Sequence, residues 1–442
     1  MKTYTVVLIG AGNRGNSYAR IMNDCPEKFK IIAVAEPVKG RRDAIKEKHN
    51  IPDEMCFNSY EEILSKPKMA DIALICTMDD MHYEPALKAI ESGYDILLEK
   101  PVSQTAKQCV DISLAAAKKG VKVLVCHVLR YAPFFKKVKE IIMDGTIGDI
   151  MSVVHVEAVG NVHQSHSYVR GNWHSEAETT PMLLAKSCHD IDILQWLIDK
   201  PCKKVQSFGR LSYFNKNNAP EGAPVRCIDG GCPVEETCYY NCKKLYYDDK
   251  NNNWFRKACT RSFAKAEIPT DEEVMTALKN TDYGLCVFHA NNDVVDHQVV
   301  NMEFEGGITV SFTMNAFNKG GRYIRIFGTK GELYANAGDS EITVYTFSDR
   351  ENHKIPINAM NESITSGHGG GDYGIVHELY DYLSGSYNGY CAANIDVSVK
   401  NHLIGFASEK ARHTGCVMDI DEYFGEYGII NEYEKKSGGE NV

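Results

Sequence analysis

The chain has 442 residues, of which 43% are hydrophobic and 24% charged, and its formal net charge at pH 7 is −10. This length and balance indicate a globular protein with two or three packed cores and exclude a mostly disordered chain. The net negative charge argues against a nucleic-acid-binding surface, which needs clustered cations, so we expect a small molecule as partner.

The N-terminal sequence MKTYTVVLIGAG leads directly into a strand-like segment. It lacks the basic region, apolar stretch and small-residue cleavage site of a secretory signal, and no apolar run of about 18 residues follows in the chain. We therefore expect a cytoplasmic protein without a membrane segment.

A glycine-rich turn follows the first predicted strand, YTVVLI at 4–9. The sequence GAGNRG matches the pattern G-x-G-x-x-G, and a helical segment and a second strand, KIIAVAE, come next. In this order the pattern predicts a dinucleotide-binding turn, because its glycines let the backbone approach a pyrophosphate. The cofactor-binding residues predicted in this turn are Gly10, Gly12, Asn13, Arg14 and Gly15.

Glu36 ends the second predicted strand. A carboxylate at this place accepts hydrogen bonds from the ribose hydroxyls of adenosine and repels a 2′-phosphate, which favours NAD over NADP. Arg41 and Arg42 follow closely and could accommodate a phosphate, so NADP is the less favoured alternative.

Strands and helices alternate through the rest of the first 128 residues. Predicted strands at 70–77, 94–101 and 121–127 enclose predicted helices at 83–92 and 105–118. Nearly continuous apolar strands predict a parallel sheet that is covered on both faces and binds its ligand at the carboxyl ends of the strands. The polar residues at or just past these ends are Thr77, Asp79, His82, Glu99, Lys100 and His127.

The segment LLAKSCHDIDILQWL at 183–197 is predicted to be a buried helix that carries Lys186, His189 and Asp190. Residues three and four apart share a helix face, so these three groups form a polar stripe on an apolar helix. Burying them without partners is costly, which favours a cleft lined by water or by ligand. The alternative is an internal ion pair between Lys186 and Asp190 beside a core histidine.

These motifs, with ICTMDDMHYEPALKAIESGYDILLEKP and RYAPFFKKVKEIIMDGTIGDI, resemble the Gfo/Idh/MocA family of NAD(P)-dependent oxidoreductases. The resemblance implies an α/β protein with a Rossmann domain, a doubly wound parallel sheet, at 1–128. It implies a C-terminal α/β domain with a large, open, mainly antiparallel sheet at 129–442. It also implies oxidation or reduction of a sugar, cyclitol or related polyol, and homo-oligomers, dimers or tetramers, that pack through the open sheet.

By this resemblance, Lys100 of the EKP motif is the active-site lysine, and His189 matches the histidine that ends the family's D-x-x-x-H pattern. Ala185 replaces the aspartate of that pattern, and Lys186 stands beside it. Removing a hydride from a carbinol requires a base for the hydroxyl proton, and His189 is the first candidate. Lys100 and Lys186 are expected to stabilise alkoxide charge, and either is the base instead if burial and a second cation lower its pKa.

Substrate hydroxyls need further donors and acceptors, and the stretch VHQSHSYVRGNWH supplies several beside aromatic faces that suit a sugar ring. A solvated surface loop is the alternative for each of them. Asp372, ahead of a later helix, is predicted either to cap that helix or, with His368, to bind ligand. Asp293 and Asp296 stand beside His297 on a predicted strand. The predicted substrate-binding residues are Arg130, Tyr131, His163, His166, Tyr168, Arg170, Trp173, Asp190 and His297.

Strand-like segments dominate after residue 150, and turns such as EGG and TKG predict antiparallel hairpins. A closing amphipathic helix at 401–414 is predicted to end at Gly415.

Residues 213–280 are predicted to be an insertion in this second domain, rich in turn residues and cysteines. The chain has 15 cysteines, an odd number that favours reduced thiols over a disulfide framework. Four of them could hold a structural zinc ion or iron–sulfur centre, with Cys259 or Cys286 as a replacement ligand, and free buried thiols are the alternative. The predicted ligands are Cys227, Cys232, Cys238 and Cys242.

Three functions are compatible with these features. The first is an NAD-dependent oxidoreductase that interconverts a secondary hydroxyl and a ketone of a sugar or glycoside. The C3 hydroxyl of a glucoside is one such candidate position. The second is a glycoside-cleaving enzyme that uses bound NAD, a 3-keto intermediate and β-elimination. The third is a dinucleotide-binding regulator without turnover, which the absence of aspartate at position 185 favours and the EKP motif opposes.

Overall fold

The computed structural model describes residues 2–251, 253–261, 268–357 and 367–431. Its strands form two separate sheets, one from each half of the chain. The domain boundary predicted at residue 128 falls between the last strand of the first sheet and the first strand of the second, and it stays a prediction.

The first sheet is wholly parallel, with the strand order β3-β2-β1-β4-β5-β6 among the described residues. This is the order of a doubly wound dinucleotide-binding fold, and it confirms the predicted Rossmann domain. Most side chains of its central strands are buried, as expected for a sheet with helices on both faces. The strands are β1 (Tyr4–Ile9), β2 (Phe29–Ala35), β3 (Cys56–Phe57), β4 (Ile72–Ile75), β5 (Asp95–Leu98) and β6 (Val123–Val125).

Helices connect these strands and cover the sheet. The predicted helices at 83–92 and 105–118 are confirmed to within a residue. The helices are α1 (Asn13–Asn23), α2 (Lys39–His49), α3 (Tyr60–Leu64), α4 (Tyr83–Glu91) and α5 (Ala106–Lys119).

The second sheet has the strand order β14-β13-β12-β11-β7-β10-β9-β8-β15 among the described residues. Its pairs are antiparallel except for β7 with β10, which confirms the predicted mainly antiparallel sheet. The EGG and TKG turns close the β9–β10 and β11–β12 hairpins as predicted. The strands are β7 (Ile150–Ala158), β8 (Cys202–Arg210), β9 (His297–Phe304), β10 (Ile308–Asn315), β11 (Gly321–Gly328), β12 (Gly331–Asn336), β13 (Glu341–Thr346), β14 (Asn352–Pro356) and β15 (Met418–Asp419).

Helices pack against one face of the second sheet and join it to the first domain. α13 contacts β8, α9 and also α5 of the first domain, and it ends at Gly415 with a left-handed backbone, as predicted. The helices of this half are α6 (Pro133–Met143), α7 (Asn161–Gln164), α8 (Met182–Ala185), α9 (Cys188–Ile198), α10 (Asn253–Thr260), α11 (Asp271–Asn280), α12 (Gly371–Ser384), α13 (Ile395–Thr414) and α14 (Ile420–Gly425).

The other face of the second sheet is open. Val154, Phe208 and Tyr334 lie exposed on it, at positions that alternate with buried ones. Between β8 and β9 the described residues add no strand to either sheet and instead form α10, α11 and a series of turns around the cysteines. Among the described helices, none combines the length and apolar character that crossing a bilayer requires.

Candidate active site

The three glycines of the first turn have different roles. A Cβ at Gly10, whose φ is +89°, would lie 2.6 Å from the Cys76 carbonyl oxygen, and one at Gly15 would lie 2.0 Å from the Gly10 carbonyl oxygen. Gly12 has no atom within 4 Å of such a Cβ. The turn is therefore closely packed on its protein side and open at Gly12 and the exposed Asn13, a cradle that fits a pyrophosphate.

Glu36 is buried beside this turn. Its carboxylate accepts hydrogen bonds from the backbone N–H of Ala11 at 2.7 Å and of Val38 at 2.9 Å. The guanidinium of Arg42 donates to the Glu36 carbonyl, and that of Arg41 donates to the carbonyl of Arg261. Glu36 thus lies where the ribose-binding acid was predicted, and both arginines are engaged by backbone oxygens.

The Arg14 side chain joins three elements of the fold. Its Nε donates to Glu99 at 2.7 Å, and its two terminal nitrogens donate to Asp372 at 2.7 and 2.8 Å. The guanidinium is therefore turned into an ion-pair network, and only the backbone of Arg14 belongs to the cradle. Asp372 neither caps α12, whose N-cap is Gly370, nor faces an open cleft, while the His368 side chain lies outside the described residues.

Glu99 positions the lysine that follows it. One carboxylate oxygen accepts from Arg14 and from the Tyr18 hydroxyl at 2.9 Å, and the other accepts from the Lys100 backbone N–H at 2.8 Å. Glu99 is buried, and its predicted contact with a cofactor stays a prediction.

The turn after β4 is fastened to the EKP segment. His82 Nδ1 lies 2.7 Å from the Pro101 carbonyl oxygen and its Nε2 lies 3.2 Å from that of Thr77. Both ring nitrogens of His82 are thus engaged within the protein and support the turn, and its contact with a cofactor stays a prediction. The Thr77 hydroxyl likewise donates to the Met81 carbonyl at 2.8 Å.

Lys100 extends from the first domain to the start of the helix pair in the second. The Lys100–Pro101 peptide bond is cis, and Lys100 Nζ donates to the Ala185 carbonyl oxygen at 2.9 Å. The carbonyl that holds the amine belongs to the residue that replaces the aspartate of the D-x-x-x-H pattern. The two segments predicted to form one active site are therefore in contact.

The predicted single helix at 183–197 is wrong at one point. α8 ends at Ala185 and α9 begins at Cys188, so Lys186 lies in the break and not on a shared helix face. Its Nζ is 3.4 Å from Glu157, which replaces the predicted Asp190 as the ion-pair partner. Burial lowers the pKa of Lys186 below 10.5; Glu157 opposes this, and Arg322 and Lys100 add to it.

Asp190 is fully buried in an ion-pair network that the sequence did not reveal. It accepts from Arg322 Nε and His155 Nε2, each at 2.8 Å, and Arg322 also binds Glu157 at 2.6 Å. Burial raises the pKa of Asp190, but Arg322 and His155 hold it well below its ordinary range. The Asp190 carboxylate therefore holds Arg322, which binds Glu157, the ion-pair partner of Lys186. Asp190 was predicted to contact substrate directly, and it is instead fully buried in this network.

His189 lies in a cluster of imidazoles behind Lys100. Its ring meets that of His127 edge-on at 6.1 Å, and His127 meets His402 at 5.7 Å. His402 Nε2 accepts from the Val102 backbone N–H at 3.0 Å, which ties the cluster to the EKP turn. His189 is 4% exposed, and its role as a base stays a prediction.

An aromatic row lies next to the lysines. The Trp173 indole donates to Asp79 at 3.0 Å, and the Tyr168 ring is 6.0 Å from Trp173 and 5.8 Å from His163. Burial and then Lys186 lower the pKa of His163 to about 2. Burial raises the pKa of Asp79, and Lys100 opposes that rise. The structure thus brings His163, Tyr168, Trp173 and Asp79 to the same region as the two lysines.

Arg130 and Tyr131 are corrected from predicted substrate ligands to core residues. Arg130 is buried and binds Asp192 through two nitrogens at 2.6 and 2.8 Å. Tyr131 is buried against Gly374 of α12. Both follow β6 as predicted, but the partners that bury them are distant in sequence.

His166, Arg170 and His297 bind partners other than Lys100. His166 is buried against the segment between β8 and β9, with its Nδ1 2.9 Å from the Tyr246 hydroxyl. Arg170 donates to the carbonyls of Leu285 at 2.8 Å and Tyr240 at 2.7 Å. His297 pairs with Asp296 at 2.7 Å on the open face of the second sheet, opposite the helices.

The predicted thiolate quartet is only partly brought together. Cys227, Cys232 and Cys238 line one cavity, and the fourth cysteine of that cavity is Cys286. Cys242 is fully buried next to Cys227 and outside the cavity lining, and its backbone N–H donates to Cys227 Sγ at 3.4 Å.

Comparison with known proteins gives two matching family profiles. Residues 4–127 match the profile described as "Oxidoreductase family, NAD-binding Rossmann fold", and residues 139–394 match "Oxidoreductase family, C-terminal alpha/beta domain". Together they span most of the chain.

Among curated proteins, the chain is 26% identical to YteT of Bacillus subtilis (strain 168) over 360 residues, which cover 76% of this chain and 80% of YteT. It is 27% identical over 204 residues to 2,7-anhydro-N-acetylneuraminate hydratase of Escherichia coli (strain K12), covering 46% and 51% of the two chains. It is 25% identical over 202 residues to inositol 2-dehydrogenase of Salmonella typhimurium, covering 46% and 56%.

Among solved structures, the oxidoreductase domain protein of Kribbella flavida superposes with a TM-score of 0.68 at 16% identity, covering 95% of this chain and all of that one. This likeness supports the same fold in both halves.

Proposed function

Because this chain belongs to the Gfo/Idh/MocA family of NAD-binding oxidoreductases, we propose that it transfers a hydride between NAD and a secondary hydroxyl or ketone of a carbohydrate or cyclitol. The observation that carries the proposal is the hydrogen bond from Lys100 Nζ to the Ala185 carbonyl. It joins the carboxyl edge of the Rossmann sheet to the break in the helix pair that carries Lys186.

NAD fits the cradle better than NADP. The backbone of Gly10 to Gly15 would hold the pyrophosphate, and the Glu36 carboxylate would accept from the ribose hydroxyls. Arg41 and Arg42, the alternative partners of a 2′-phosphate, already donate to backbone carbonyls. When bound, the nicotinamide supplies the hydride acceptor or donor.

The two lysines divide the proton chemistry. Oxidation requires a side chain that removes the hydroxyl proton, and the lowered pKa of Lys186 suits it to that task better than an ordinary ammonium group. The Lys100 amine, fixed by Ala185, would donate to the developing alkoxide. His189 is the alternative base.

The aromatic row supports a carbohydrate substrate. The rings of Tyr168 and Trp173 lie 6.0 Å apart, and His163 and Asp79, which contact them, add polar groups. The names of two relatives specify a cyclitol and an anhydro sugar acid, which are polyols of the same chemical class.

A redox-neutral cleavage of a glycoside is the second candidate, since one relative is named a hydratase and two amines lie at the site. In that reaction the sugar is oxidised at C3, a side-chain base removes the C2 proton, and the aglycone departs. Water then adds, and the hydride returns to the sugar, so no net oxidation occurs.

We also propose that the chain forms a homo-oligomer through the open face of the second sheet. The exposed Val154, Phe208 and Tyr334 on that face are apolar or aromatic and would be covered by a second copy.

The test is a panel of free sugars, cyclitols and glycosides incubated with the purified protein and NAD. Reduced nicotinamide is followed by absorbance, and products are followed by chromatography. One reduced cofactor per oxidised product supports the dehydrogenase, whereas aglycone release without net reduction supports cleavage. Tight NAD binding with no conversion across the panel would favour a regulator and contradict both.

A further inference from the structure

The segment between β8 and β9 encloses a cavity lined by four cysteines. Cys227, Cys232, Cys238 and Cys286 contribute to its wall. All 15 cysteines are free thiols, so no disulfide accounts for this grouping. Cys286 comes from 44 positions beyond Cys242, close to the start of β9, and so the cavity joins the two ends of the segment.

Backbone N–H groups point at two of these four sulfurs. Tyr240 N–H donates to Cys238 Sγ at 3.4 Å. Cys242 N–H donates to Cys227 Sγ at 3.4 Å. Such donors stabilise a thiolate more than a thiol.

Arg170 brings a buried cation to the same cavity. It is 2% exposed, and two of its nitrogens donate to the Leu285 and Tyr240 carbonyls. The third, Nη1, is buried without a hydrogen-bond partner among the described residues. A buried guanidinium with a spare donor favours negative charge nearby. Glu235 also lines the cavity, and thiolate sulfurs would add further negative charge beside Arg170.

We propose that Cys227, Cys232, Cys238 and Cys286 are the thiolate ligands of a metal centre, a zinc ion or an iron–sulfur cluster. Four thiolates leave either group with net negative charge, which Arg170 would offset. The centre would cross-link a segment that has few strands or long helices of its own, so its role would be structural.

The spacing of the sulfurs bears on which group is held. Among the described residues, no three of these sulfurs lie within 4.8 Å of one another. Four thiolates around one zinc ion, with bonds of about 2.3 Å, would be about 3.8 Å apart, so zinc would draw the turns inward. A multi-iron cluster would separate the thiolates more widely. Both share the same thiolate chemistry, and metal analysis distinguishes them.

The experiment is metal analysis of the full chain, purified without oxygen and without chelators. We expect either about one zinc per chain, or iron with acid-labile sulfide and visible thiolate-to-iron absorption. Removal of the metal from the unmodified protein is expected to lower its melting temperature. Protein with neither zinc nor iron in stoichiometric amount, before and after anaerobic reconstitution with each, would overturn the proposal.

Variants separate the cavity quartet from the other cysteines. Cys286→Ser is expected to lose the bound metal, whereas Cys242→Ser and the remote, equally half-buried control Cys56→Ser are expected to keep it. Metal is measured per folded chain, which allows for reduced yield of a variant. Retention by Cys286→Ser, or equal loss in Cys56→Ser, would contradict this ligand set.

Discussion

Two amines of different surroundings lie at the contact between the domains. Lys100 is held by one backbone carbonyl, whereas Lys186 pairs with the carboxylate of Glu157 and has an 18% exposed side chain. The resemblance identifies the first, and only the structure shows that the second has the lowered pKa expected of a base.

Lys100→Met should lower kcat/KM for the active substrate by about 100-fold or more, because it removes a charge-stabilising donor from the transition state. NAD affinity, measured by calorimetric titration, should change little, since the glycine cradle and Glu36 are untouched. The exposed Lys118 on α5 provides a matched control, and Lys118→Met should retain full activity. Undiminished turnover in the Lys100 variant would remove the proposed chemistry.

The lowered pKa of Lys186 predicts the pH dependence of oxidation. Only the deprotonated amine accepts a proton, so kcat/KM should rise with pH, and the midpoint of that rise should lie below pH 10.5. Glu157→Gln removes an anion that raises this pKa, and should therefore move the rising limb to lower pH. Lys186→Gln should abolish that limb along with most activity. An unchanged limb in Lys186→Gln would contradict Lys186 as the base and leave His189 and Lys100 as the candidates.

Two glycines of the turn between β1 and α1 should affect different properties, one the affinity for NAD and the other the stability of the fold. Gly12→Val places a side chain in the open cradle, so it should weaken NAD binding at least about tenfold while the free energy of unfolding changes by less than about 0.5 kcal/mol. Gly15→Ala forces a clash with the Gly10 carbonyl and should cost about 1–3 kcal/mol of stability. Titration and thermal unfolding of both variants test this, and equal destabilisation by the two would contradict it.

Local patterns predicted most elements of the fold, because an apolar strand, a glycine turn and a C-terminal glycine act over a few residues. The break at Lys186 was not predicted, since the sequence there continues the helical pattern of apolar positions. β13 and β14 were also missed: they are an edge hairpin whose strands carry many polar residues.

The candidate site was predictable where one motif carries the chemistry, as for Lys100 and Glu36. It was not predictable where strand register creates a pair: Glu157 on β7 faces Arg322 on β11, 165 positions later in the chain. Their one local signal was the alternation of His155 and Glu157 on a buried strand face. For Arg130 the motif was misleading. The sequence predicted a substrate ligand, but Arg130 is buried in the core and binds Asp192.

At the scale of the whole molecule, contacts between the halves fix the geometry of the site. Lys100 meets Ala185, the Val102 N–H meets His402, and Arg14 meets Asp372. Each contact joins the carboxyl edge of the Rossmann sheet to a helix of the second domain. Separation of the two domains would break all three contacts together. A substitution that weakens the junction should therefore lower stability and also disturb the geometry of the site.

The histidine cluster makes this junction sensitive to acid. Burial lowers the pKa of His127 to about 4 and that of His402 to about 3, with Asp192 opposing the first shift and His127 adding to the second. In the unfolded chain both have pKa values near 6.5, so between pH 6.5 and about 4 the unfolded state binds more protons. Stability is therefore fully present above pH 6.5 and falls below it, by about 1.4 kcal/mol per pH unit for each histidine.

Thermal unfolding between pH 8 and pH 4 tests this expectation. These pH values include the range from about 6.5 to 4, in which the unfolded state binds more protons than the folded state. Carboxylates also titrate there, so the informative quantity is the difference between the unmodified chain and His127→Gln, which lacks one of the two buried imidazoles. The variant should be less stable at pH 8 but lose less stability on acidification, and the two curves should converge towards pH 4. The exposed His353→Gln should follow the unmodified chain throughout. Parallel curves for His127→Gln and the unmodified chain would show that the imidazole is not held neutral at the domain junction.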